Sequence, residues 1–75
     1  MREYEIVYKY LNACAGAAHP QIEFFEAQLN CPEDYVRQKH SRDFHKFQKD
    51  ILPDGQTVLT YDTGGVAYIY EFTEL

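Results

Sequence analysis

The sequence predicts an α+β fold: a small antiparallel sheet of about four strands with one amphipathic helix packed on one face, in the order ββαββ. Three observations carry this. Apolar and polar residues alternate near the N-terminus, they alternate again on both sides of a glycine pair near the C-terminus, and between the two lies an apolar stripe at helical spacing. The 75 residues suffice for a single domain, 1–75. With 45% hydrophobic and 25% charged residues, composition excludes disordered and low-complexity classes.

Residues 3–11 place Tyr4, Ile6, Tyr8 and Tyr10 on one face of a strand and Glu3, Glu5, Val7, Lys9 and Leu11 on the other. The small-residue stretch from Asn12 to Pro20 reads as a connection. Residues 21–29 fit either a helical stripe of Ile22, Phe25 and Leu29 or an alternation of Phe25, Ala27 and Leu29 with Glu26 and Gln28. Strand is preferred because Asn30-Cys31-Pro32-Glu33-Asp34 already starts a helix. Asn30 or Cys31 would cap it, Pro32 takes the first position, and two acids follow in the first turn.

From Pro32 to about Asp50, Val36, His40, Phe44, Phe47 and Ile51 fall within an arc of roughly 80° at 100° per residue, so one helix is expected over 32–50. Pro53-Asp54-Gly55 would end it. Residues 56–61 and 66–73 then form a hairpin around Asp62-Thr63-Gly64-Gly65. With Asp62 opposite Gly65, Tyr61 faces Val66, Leu59 faces Tyr68 and Thr57 faces Tyr70. The helix should cover the tyrosine-rich face, with phenol oxygens reaching its rim.

Motifs for catalysis or cofactors are missing. Zinc wants closely spaced ligand pairs, whereas His40 and His45 diverge by about 140° on a regular helix, and Cys14, His19 and Cys31 would need tertiary convergence. Cys31 before a helix start is the one candidate nucleophile, with no identifiable base; the simpler reading is a buried thiol beside the cap. His40 on the apolar stripe reads as a histidine at the core edge. Gly64-Gly65 leads into a strand, not into the helix N-terminus that a phosphate loop requires. Acid pairs such as Glu23 with Glu26 and Glu33 with Asp34 are ordinary solvated acids in a chain of net charge −5. No enzyme, no metal and no cofactor is expected.

Charge distribution says more. Five cations (Arg37, Lys39, Arg42, Lys46, Lys49) and one anion (Asp43) lie between residues 37 and 49, while two cations and eleven anions make up the rest. On the expected helix, Lys39, Arg42, Lys46 and Lys49 form a basic ridge opposite the apolar stripe. The plain reading is a solvated helix face; the functional one is docking of an acidic protein or of phosphates, with Arg42 as the bidentate contact. A pI near 5.0 disfavours nucleic acid. The acids outside this segment also raise an acidic mimic of nucleic acid, which the basic ridge would spoil.

The opposite sheet face carries Val7, Leu11, Val58, Ala67 and Ile69 among charged neighbours, more apolar than a solvated face requires, so self-association through Val7, Val58, Ala67 and Ile69 is a second expectation. Two cysteines are too few for a disulfide scaffold, the opening Met1-Arg2-Glu3-Tyr4-Glu5 does not resemble a secretory leader, and no apolar run is long enough to span a membrane. The expected protein is therefore cytoplasmic, a non-enzymatic interaction module for a protein partner, with a homodimer as one form of that partnership.

Overall fold

The computed structural model describes residues 1–12 and 21–75. Five strands and one α-helix are present among them: β1 (Arg2–Asn12), β2 (Gln21–Leu29), α1 (Pro32–Lys39), β3 (Gln48–Ile51), β4 (Thr57–Asp62) and β5 (Val66–Glu74). The strands form one antiparallel sheet in the order β2-β1-β5-β4-β3, so β5 is central and β2 and β3 are edges. The α+β class and the strand at 21–29 agree with the sequence reading; the strand count and the ββαββ order do not. Cys14 and His19 lie outside the described residues.

The additional strand comes from the segment expected to complete the helix. α1 stops at Lys39, with His40 as its C-cap at φ −132, ψ 59 and the His40 amide donating to the Val36 carbonyl at 2.8 Å. Residues 41–43 form the turn that follows, in which the Asp43 amide donates to the His40 carbonyl. A short 3-10 helix, Phe44–Lys46, then leads into β3, which pairs with β4 from Gln48↔Thr60 to Ile51↔Thr57 and so supplies partners to an otherwise bare strand edge. The apolar stripe is nonetheless used. Phe44 and Phe47 pack against the core from the 3-10 helix and its end, while Ile51, on β3, is 66% exposed. Pro53-Asp54-Gly55 closes the β3–β4 hairpin and terminates no helix; Gly55 takes φ 91, its amide donates to the Leu52 carbonyl, and the Gln56 amide donates to Asp54 Oδ1.

In the β4–β5 hairpin the pairing is displaced by two residues from the expected register: Tyr61 faces Tyr68, Leu59 faces Tyr70 and Thr57 faces Phe72. The turn explains this. Gly64-Gly65, not Thr63-Gly64, forms the two-residue loop; Gly64 takes φ 94, its amide donates to Asp62 Oδ1, and the Thr63 amide donates to the Val66 carbonyl. A shift of two preserves side-chain direction, so the assignment of faces survives.

The core lies between α1 and the centre of the sheet. Tyr4, Ile6, Leu59, Tyr70 and Phe72 rise from β1, β4 and β5 to meet Val36, all buried. Tyr35 sets its ring edge-on to Tyr70 and Phe72, which seats the helix over β5. Cys31 is the N-cap, extended and half-buried, and makes no side-chain capping bond; Pro32 behind it is buried. Among the described residues no helix is long and apolar enough to cross a membrane.

Candidate functional site

The four residues of the expected basic ridge do not share a helix. Lys39 ends α1 and holds its ammonium 5.6 Å from the centre of the Tyr35 ring. Arg42 is exposed in the turn after α1. Lys46, in the 3-10 helix, lies 3.7 Å from Asp43 Oδ1 and 5.9 Å from the Tyr61 ring centre. Lys49 belongs to β3 and donates to Glu33 Oε2 in the first turn of α1 at 3.2 Å, tying the sheet edge to the helix. The ridge rested on a continuous helix over 32–50, and the break at His40 removes that common face.

Val7, Val58, Ala67 and Ile69 do lie on one sheet face, the one away from α1, as strand alternation requires. Pairing with β2 adds two residues that the sequence reading did not place there: Phe24 stands opposite Val7 and Ile22 opposite Lys9. Phe24 is 70% exposed and Ile22 47%. Lys9 and Glu71 join across β1 and β5 at 3.0 Å in the middle of this face, leaving their site neutral. The missing information was the β1–β2 register, which the uncertain state of residues 21–29 withheld.

A pocket of about 270 Å³ lies on the helix side. β1 supplies Tyr8, β2 supplies Glu23 and Phe25, α1 supplies Tyr35 and Lys39, His40 follows α1, and β5 supplies Tyr70. Tyr8 and Tyr70 are cross-strand partners with rings stacked at 4.7 Å. His40 fits among Phe47, Tyr68 and Tyr70, with Nε2 2.7 Å from the Tyr70 hydroxyl. Burial lowers the His40 pKa from its ordinary value, against an opposing pull from Asp43. Tyr70 is pushed well above the usual phenol range, first by burial and then by neighbouring tyrosines and Glu23. The neutral ring and the protonated phenol share one hydrogen bond there, in which either group can be the donor according to the imidazole tautomer.

Burial and the Glu23 carboxylate also raise the pKa of Tyr35, and burial, Tyr68, Tyr10 and Glu23 raise that of Tyr8. Tyr8, Tyr35, His40 and Tyr70, whose pKa values burial shifts, thus line one pocket. The rim positions of Tyr8 and Tyr70 were legible from strand alternation, and His40 and Lys39 were singled out in the sequence; Tyr35, on the helix, was not, and Glu23 was read only as a solvated acid. No cluster of described residues could hold a metal ion. Compared with known proteins, the chain matches no family model, no curated protein and no solved structure.

Proposed function

We propose that this chain is a non-enzymatic interaction module that accepts an extended segment of a protein partner on the outer edge of β2. One observation carries the reading: β2 is a nine-residue edge strand, free of proline, with no strand on its outer side among the described residues and with Phe24 70% exposed beside that edge. An added strand gains a main-chain ladder, and its side chains on the open face meet Ile22 and Phe24. Glu23 and Glu26 favour lysine or arginine opposite them and so bias the choice of partner.

The alternative of phosphate or nucleic acid on Lys39, Arg42, Lys46 and Lys49 has less behind it. Lys46 and Lys49 are already ion-paired, and a net charge of −5 repels a phosphate backbone. An acidic mimic needs an ordered track of carboxylates, yet Glu71, Glu33 and Asp34 are all in ion pairs with cations of the chain. A second copy of the chain is the other reading with a specific observation in its favour, the order of residues along β2. An antiparallel pair with Phe24 opposite its own copy sets Glu23 across from Phe25 and Glu26 across from Ile22, so no two carboxylates face each other.

The test is hydrogen exchange on the wild type with a partner captured from its native lysate, repeated with Phe24→Lys. The expected result is slower exchange of the β2 amides on binding and capture at least about tenfold weaker with the variant, whose exposed position leaves the fold intact. Undiminished capture by Phe24→Lys, with β2 exchange unchanged, would remove the edge from the account.

A further inference from the structure

The pocket on the helix side has a chemistry that strand addition does not use. Its walls are aromatic, from Tyr8, Phe25, Tyr35 and Tyr70, and it carries one anion, Glu23, and one cation, Lys39. Neither of these charges is in an ion pair among the described residues, although both line the same space of about 270 Å³. A ligand with a single charge would be attracted by one of them and repelled by the other. A ligand with both charges satisfies each, and its apolar part rests on the rings.

We propose that this pocket binds a free α-amino acid with an apolar side chain, its ammonium toward Glu23 and its carboxylate toward Lys39. The phenols of Tyr8 and Tyr35 keep their protons and are hydrogen-bond donors for the carboxylate, while the Tyr70 hydroxyl is hydrogen-bonded to His40 Nε2 and fixes that wall. The volume lies just under the roughly 300 Å³ at which pockets for drug-sized ligands begin, so a small molecule is the matching size. The Lys39 ammonium lies 5.6 Å from the centre of the Tyr35 ring, which holds it against the aromatic wall.

Titration with L-phenylalanine, followed by NMR of the tyrosine rings and of His40, tests this alongside two probes that each lack one charge. N-acetyl-L-phenylalanine has no ammonium, and L-phenylalaninamide has no carboxylate. The expected outcome is saturable shifts at Tyr8, Tyr35, Tyr70 and His40 with a Kd of about 1 mM or tighter for the amino acid, and binding at least about tenfold weaker for both probes. Glu23→Gln and Lys39→Gln should each weaken L-phenylalanine by a similar factor, while Phe24→Lys, on the other face of the sheet, should leave it unchanged. Absence of saturation at about 10 mM, equal binding of all three compounds, or equal loss in Phe24→Lys would overturn the proposal. Because the strand-docking readout is exchange at β2 and this one is the ring signals of the pocket, failure of either leaves the other standing.

Discussion

At the scale of single residues, His40 shows how a side chain chosen by helical spacing ends in a different role. Its position on the apolar stripe was correct in that it turns toward the core, yet it caps α1 and does not continue it, and its ring is held by Phe47, Tyr68 and Tyr70. Burial favours the neutral ring, so the folded pKa lies below the unfolded value of about 6.5. As pH falls through that unfolded value the unfolded chain takes up the proton first; stability therefore drops across the window between the two pKa values and the loss is complete below the folded one. His40→Gln should flatten the dependence of the urea midpoint on pH between about 7 and 5 relative to wild type. His19 and His45 are present in both proteins and cancel in the comparison. Parallel profiles for the two proteins would show that His40 titrates no differently in the folded chain.

At the scale of elements, what the sequence conveyed was direction, and what it withheld was length and register. Strand alternation told which face each residue of β1, β4 and β5 takes, because period two survives any slip by two; the glycine pair left the exact pairing open, and the hairpin settled with Tyr61 opposite Tyr68. The stripe from Val36 to Phe47 marked residues that reach the core, but a helix followed by a 3-10 turn delivers them as well as a longer helix would. Only the need of β4 for a second neighbour decides between them, and that need is non-local. Glu23 entered the pocket through the same non-local pairing, with Tyr8 as its partner across β1. The loop that sets the hairpin register depends on Gly64 at φ 94, a conformation that costs other residues about 1–2 kcal/mol. Nothing stands within 4 Å of where a Cβ would go, so Gly64→Ala should lose about that much in denaturant unfolding through backbone strain alone. Gly64→Asn should lose less, because asparagine tolerates positive φ. Equal stability of Gly64→Ala and wild type would mean that the loop adopts another turn.

At the scale of the whole molecule, the question is how a 75-residue domain with an apolar outer face and an edge strand that is unpaired on its outer side among the described residues meets a second copy of itself. Packing face to face over Val7, Val58, Ala67 and Ile69 would bury Lys9 and Glu71, which lie between them at 3.0 Å, and desolvating such a pair costs several kcal/mol per ion. Pairing through β2 leaves that ion pair in water and joins two five-stranded sheets into one of ten strands. A twofold axis normal to the sheet sets residues of like face opposite each other, so along the outward face only even positions pair with even positions. Centring on Glu26 would oppose two carboxylates; centring on Phe24 opposes two rings, an arrangement that aromatic pairs favour. Sedimentation over a concentration series should therefore give a dimer at high micromolar protein and a monomer for Phe24→Lys, whose two introduced charges would meet at the axis. In a chain with Cys14→Ser and Cys31→Ser, Phe24→Cys should form an intermolecular disulfide on oxidation, since directly opposed strand residues lie about 4.5–5.5 Å apart at Cα. Glu26→Cys in the same background should not, because its opposite number is Ile22. A wild type that stays monomeric ends the self-pairing reading, and cross-linking at position 26 but not at 24 would place the axis elsewhere on β2.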